Sequence, residues 1–245
     1  MENAQLISLS RQVALQRQMD VVANNMANIN TTGFKAEDLL FEPYKMPVAA
    51  DNDFAGDQTL AYTEDWATIH NMTNGPMDQT GNPLDVALMG SGFLTVSTPN
   101  GDRYTRAGSL AINTQGTLVD LAGNPVLSTS GPVQFDAADT DITISKDGTI
   151  STSQGAKGKL AIAEFADPQT QLTREGNNLW VGTGGQPAVN TSVIQGSIER
   201  SNVSPVNEMA QMIRVQRAYE QLADLMSRQD DLRAAAIQKL GAMAA

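Results

Sequence analysis

A chain of 245 residues with 41% hydrophobic content holds enough apolar material for one large domain or two smaller ones. It has no cysteine, which excludes disulfides and thiolate metal sites, and no apolar run approaches the ~20 residues of a membrane-spanning helix. The net charge of −11 is concentrated in residues 36–202, with 8 Lys/Arg against 20 Asp/Glu, while the two ends together carry 8 against 7; near-neutral ends can pack together, and without a basic stripe nucleic acid is not a partner.

The first predicted element is a helix from about Ala4 to Asn28. Leu15, Met19, Val22, Met26 and Ile29 are spaced 4, 3, 4 and 3, which makes one apolar seam. Arg11, Arg17 and Asp20 interrupt the apolar core that a cleavable signal peptide requires. Four asparagines, Asn24, Asn25, Asn28 and Asn30, crowd the end of the helix. Asn is a poor mid-helix residue because its amide competes for backbone hydrogen bonds, so these amides are expected to serve a neighbour. Gly33 is expected to cap the helix in the left-handed conformation.

Residues 34–75 read as an extended connector, with Pro43, Pro47 and the acidic stretch Asp51–Asp57. A middle domain follows over 76–181, where the hydrophobic period changes to two. Leu84, Val86 and Leu88 alternate with Asp85 and Ala87, and Asn100-Gly101 is a strong hairpin turn. Further short runs at Leu110–Ile112, Leu118–Leu121, Ile142–Ile144, Leu160–Phe165 and Leu179–Val181 complete the pattern. Such spacing predicts an antiparallel sandwich or barrel. The Gly/Pro-rich stretch 182–203 reads as a return connector.

The last element is a long helix with Ser204 as N-cap, Pro205 at its first position and Glu208 in its first turn. Val215, Ala218, Leu222, Leu225, Gln229, Leu232 and Ala236 form one row; Met212, Tyr219 and Met226 form a second beside it. This apolar face is wider than a two-stranded seam needs, so the helix must touch more than one neighbour. The predicted fold class is α+β: terminal helices, 1–33 and 204–245, paired as a coiled-coil-like inner domain, with an antiparallel all-β middle.

Catalytic and ligand motifs are lacking. Asp51-Asn52-Asp53-Phe54-Ala55-Gly56 opens like a calcium loop, but Tyr62 stands where a bidentate Glu is needed. Gly182-Thr183-Gly184-Gly185 lacks the Lys of a phosphate loop, and His70 has no motif around it. No cofactor, metal site or catalytic residue is expected. Residue counting alone leaves one enzymatic class open, a cell-wall-active enzyme using a carboxylate pair on the β-domain.

The stretch Ala23–Lys35, A-N-N-M-A-N-I-N-T-T-G-F-K, resembles the N-terminal signature of the bacterial flagellar axial proteins, the rod and hook family. Ser201-Asn202-Val203 with Pro205-Val206, then Gln216-Arg217-Ala218-Tyr219-Glu220, resemble its C-terminal signature. Gly81–Ala87, Gly92-Phe93 and Tyr104–Gly108 resemble its shared β-domain. The opening Met1–Ala4 and Pro205 are most similar to the proximal rod members; a distal rod or hook protein is the alternative within the family. The resemblance implies a structural subunit, exported through the flagellar type III apparatus without a cleaved signal and built into the rod crossing the periplasm. It implies as partners other copies of the chain and other proximal and distal rod proteins. The implied assembly residues are Leu15, Met19, Val22, Asn24, Asn25, Met26, Asn28, Ile29, Met212, Gln216, Tyr219, Leu222, Leu225 and Met226, with Gly33 and Ser204 as helix caps.

Overall fold

The computed structural model describes residues 2–47 and 59–243. The acidic stretch Asp51–Asp57 lies outside them. The fold is α+β, with a helix at each end and antiparallel strands between, and it divides into two compact units.

The first unit takes the described parts of Met1–Met26, Glu37–Ile69 and Ser204–Ala245. It holds helix α1 (Glu2–Ala27), strands β1 (Glu37–Pro47) and β2 (Thr59–His70), and helix α2 (Pro205–Met243). The Ser204 carbonyl accepts the first helical hydrogen bond of α2, from Glu208 N at 3.0 Å, which places Ser204 at the N-cap with Pro205 pre-set at N1. β1 and β2 pair as a two-stranded ribbon, where a connector was expected. Pro43 and Pro47 are tolerated there because each strand of such a ribbon keeps one edge without a ladder partner.

The second unit takes Ala27–Ala36 and His70–Val203. Its strands, in chain order, are β3 (Met77–Gln79), β4 (Val86–Met89), β5 (Phe93–Thr98), β6 (Gly101–Thr105), β7 (Leu110–Ile112), β8 (Leu118–Asp120), β9 (Leu127–Ser128), β10 (Gly131–Pro132), β11 (Thr143–Ile144), β12 (Thr149–Thr152), β13 (Gly155–Lys159), β14 (Ile162–Glu164), β15 (Leu172–Gly176), β16 (Leu179–Gly182), β17 (Gln186–Pro187), β18 (Ser192–Gln195) and β19 (Ser197–Glu199). Six of them form the main sheet in the order β15-β16-β6-β5-β14-β17, and smaller sheets pair β4 with β18 and β3 with β19. The predicted Asn100-Gly101 turn joins β5 to β6, with Thr98 opposite Gly101 and Leu94 opposite Thr105.

Strand alternation separates two cores. Leu94 and Val96 of β5 enter a cluster with Val86, Leu88, Leu118 and Ile150, whereas Phe93 joins Phe165, Leu172 and Trp180. A third, small cluster joins Phe34, Ala36 and Val203, with Ile29 against it.

Two boundaries differ from expectation. Residues 182–203 are not only a connector: β17 pairs with β14, β18 with β4 and β19 with β3. The glycines and prolines hid an alternation in which Val193 and Glu199 point inward, 1% and 0% exposed. Residues 27–36 and 70–75 belong with the strands, because the buried Phe34, Lys35 and Ala36 are packed among them.

Candidate assembly interface

In the first unit, α1 and α2 run antiparallel. Gln12 Nε2 donates to the Tyr219 hydroxyl at 2.8 Å and Gln5 Nε2 to Asp230 Oδ1 at 2.9 Å, so positions rise on one helix as they fall on the other. Ser8, Ala14, Val22 and Val215 are buried. Leu15, Met19, Met26, Met212, Tyr219, Leu222 and Met226 are half-buried. Between the helices a groove of about 320 Å³ opens among Leu15, Gln18, Gln211, Arg214, Val215 and Ala218.

Much apolar surface on these helices faces outward. On α1, Leu6, Leu9 and Val13, at helical spacings of 3 and 4, are 50–60% exposed. On α2, Val206, Met209 and Ile213 repeat the same spacing, and Leu225, Leu232 and Ile237 follow, all 48–72% exposed. Scattered exposed leucines are ordinary, but rows at helical spacing form continuous stripes.

The asparagine-rich end of α1 is used differently from expectation. Asn25 is 1% exposed. Its Nδ2 donates to Glu37 O at 2.8 Å and its Oδ1 accepts from Glu37 N at 2.9 Å, a two-point grip that imitates a strand partner. Its amide is therefore spent inside the chain. Asn24 is exposed, and Gln216 bonds Glu220 of its own helix at 3.3 Å. Burial pushes the Glu208 carboxyl above the usual carboxylate range, against a hydrogen bond from Asn25 and with the like charge of Asp38 adding to the rise.

Asn28, Ile29 and Gly33 lie in the second unit, although Ile29 was expected to extend the seam, Asn28 to serve a neighbour and Gly33 to cap the helix. α1 stops at Ala27, and Ile29 packs against the Phe34 cluster instead. Gly33 has a φ of 67°, as expected of a left-handed glycine, but it sits six residues past the helix and is not its cap. Its conformation serves a close approach. A Cβ there would fall on the Arg106 carbonyl and 2.6 Å from Ala107 N.

Beside Gly33 lies a buried charge cluster that the sequence did not reveal. Lys35 Nζ donates to Glu199 Oε1 at 2.6 Å and to Thr73 O at 2.8 Å. Arg106 meets Glu199 Oε2 at 3.2 Å, and Gly75 N donates to Oε1 at 2.9 Å. All three charged side chains are 1% exposed or less. Burial holds the Lys35 ammonium below its ordinary pKa, although Glu199 raises it. Asn202 works alongside: its Oδ1 accepts from Ala36 N at 2.8 Å, and its Nδ2 donates to Asn71 O at 2.7 Å and Thr73 O at 3.0 Å.

Three family models match the chain: "Flagella basal body rod protein" over residues 6–35, "Flagellar hook protein FlgE/F/G D1 domain" over 87–152 and "Flagellar basal body rod FlgEFG protein C-terminal" over 194–239. The flagellar basal-body rod protein FlgF of Caulobacter vibrioides is 38% identical over 245 residues, covering 98% of this chain and 99% of the relative. The chain belongs to the flagellar basal-body rod protein family. The FlgF of Mesorhizobium japonicum is 33% identical with the same coverage. The FlgG of Agrobacterium fabrum is 35% identical over 89% of this chain and 92% of the relative. This rod protein is thus FlgF-like, and its family is structural rather than enzymatic. The two terminal rod models take in most of α1 through Lys35 and Glu199 through most of α2, so both the helix pair and the Lys35–Glu199 contact join them.

Proposed function

We propose that this rod protein is a subunit of the proximal rod and that α1 and α2 are its assembly element. The observation that carries this reading is the set of apolar stripes left outward on a helix pair, Leu6-Leu9-Val13 and Val206-Met209-Ile213. Apolar rows of this kind are covered when neighbouring subunits pack against them. Leu15, Met19, Val22 and Met26 with Met212, Leu222 and Met226 form the coiled-coil-like seam of an inner domain, and Leu225, Asn24, Gln216 and Tyr219 contact adjacent subunits. The strand-rich unit, which holds Asn28, Ile29 and Gly33, is the outer domain.

Packing through a heterologous contact that does not close generates a tube, which suits a drive shaft passing torque from motor to hook. The partners are other copies of this chain and neighbouring rod proteins, and the place is the basal body. Export proceeds through the flagellar type III apparatus. Among the described residues no helix is long and apolar enough to cross a membrane, and no group of three acidic or imidazole side chains is arranged to hold a metal. The test is the composition of purified basal bodies. The chain is expected in the rod fraction, and its deletion should remove the rod above the point where it sits.

A further inference from the structure

Residues 27–36 are a ten-residue excursion: the chain on either side belongs to the helical unit, while the excursion itself belongs to the strand unit. Locally it is held by turn bonds, Thr31 N to Asn28 O at 3.2 Å, Phe34 N to Thr31 O at 3.3 Å and Thr31 Oγ1 to Asn28 Oδ1 at 3.0 Å. Its bonds to the strands reach far along the chain. Gly33 N donates to Glu199 O at 2.7 Å, Asn202 N to Phe34 O at 3.3 Å, and Asn178 Nδ2 to Thr32 O at 2.6 Å. Asn178 is presented by a β15–β16 turn in which both Asn177 and Asn178 have positive φ, the geometry of a tight hairpin.

The Glu199 carboxylate is already paired without this segment. Glu199 already has Arg106 and Gly75 N, and Arg106 also donates to Leu88 O and to Gly90 O while lying over the Phe93 ring. Glu199 and Arg106 form a one-to-one ion pair. Glu164 faces Arg106 as well, with its own oxygens taken by Val189 N, Asn190 N and Thr191 Oγ1. Docking the segment adds Lys35, a second buried cation on one carboxylate. Two adjacent residues therefore act in opposite senses. Phe34, fully buried with Arg174 over its ring, favours the seat. Lys35 brings a desolvated charge that Glu199 compensates only in part.

We propose that residues 27–36 form a reversible strap on the strand unit, with Phe34 as its plug and Lys35 as a built-in opposing charge, so that it leaves its seat without the main sheet opening. This goes beyond the assembly reading and holds whether or not the helices build the rod.

Hydrogen exchange on the full-length purified chain tests it. A peptide covering 28–36 reports the strap, and one covering β5 reports the sheet. In the wild type the strap peptide should exchange at least ~100-fold faster than β5, although Phe34 and Lys35 are as buried as Leu94. Lys35→Met removes the uncompensated charge and should slow the strap peptide about tenfold, leaving β5 unchanged. Asn202→Ala should speed the strap alone. Equal protection of the two peptides in the wild type, or faster strap exchange in Lys35→Met, overturns the proposal. Should Lys35→Met fail to fold, Asn202→Ala decides: a change in both peptides together means the strap is part of the sheet core, and a change in the strap alone supports the latch.

Discussion

Lys35 and Glu199 stand 164 residues apart in the chain and meet at 2.6 Å with side chains 1% and 0% exposed. Arg106 shares the same carboxylate. Replacing Glu199 by Gln leaves Lys35 buried without its counter-charge and Arg106 without its paired carboxylate. The strand unit should lose about 3–5 kcal/mol, read as a lower denaturant midpoint at unchanged slope. A midpoint equal to wild type would show that the cluster carries no stabilising charge balance.

The same site gives a pH dependence whose sign is opposite to that of an ordinary ion pair. Lys35 has a folded pKa below its unfolded value of 10.5, chiefly through burial. The unfolded chain therefore binds more protons across the window between the two values, and stability rises with pH there. Glu199 and Arg106 are the charged groups facing it. Denaturation of wild type and Lys35→Met, compared from about pH 8 to about pH 10, should converge as Lys35 loses its proton. A gap that widens in favour of the variant would contradict this.

Gly33→Val meets two obstacles. The left-handed backbone costs a branched residue at least ~1 kcal/mol, and the new Cβ collides with the Arg106 carbonyl. The strap should be displaced and rod assembly impaired, while near-ultraviolet dichroism of Trp180 in the strand core stays native. Loss of that Trp180 signal would place Gly33 inside the sheet core.

A fragment of residues 27–203 should fold as a cooperative unit. It retains the strap, Glu199 and the three apolar clusters, and alternating strands bury their apolar faces against each other. The start at residue 27 matters. A fragment beginning at residue 34 lacks Gly33 and Thr32 O, which bond Glu199 O and Asn178. The longer fragment should melt in one transition, higher than the shorter. Equal melting points would mean that these strap bonds contribute nothing to the fold.

What was legible in the chain was local. Heptad spacing and the Ser204-Pro205 pair located both helices, and Asn100-Gly101 located a hairpin, because each signal is written in adjacent residues. The spacing also overshot: Ile29 continues the heptad although α1 has ended, since a period says nothing about where backbone bonding stops. β18 and β19 were obscured by the glycines and prolines around them, and the β1–β2 ribbon by Pro43 and Pro47. Lys35, Arg106, Glu199 and Asn202 were not identifiable as a site, because their partners are brought together by topology alone. The asparagines of α1 showed that amides were needed there, but not that Asn25 would be spent on Glu37.

Basal bodies purified from a deletion strain complemented with wild type or Leu222→Asp test the assembly claim most directly. Leu222 is half-buried on the inner face of α2, so a charge there should leave the strand unit folded and the chain exported. The expected result is wild type in the rod fraction and motile cells, with the variant absent from basal bodies and the cells non-motile. Incorporation of Leu222→Asp at the wild-type level, with motility restored, would contradict the assignment of the terminal helices as the assembly element.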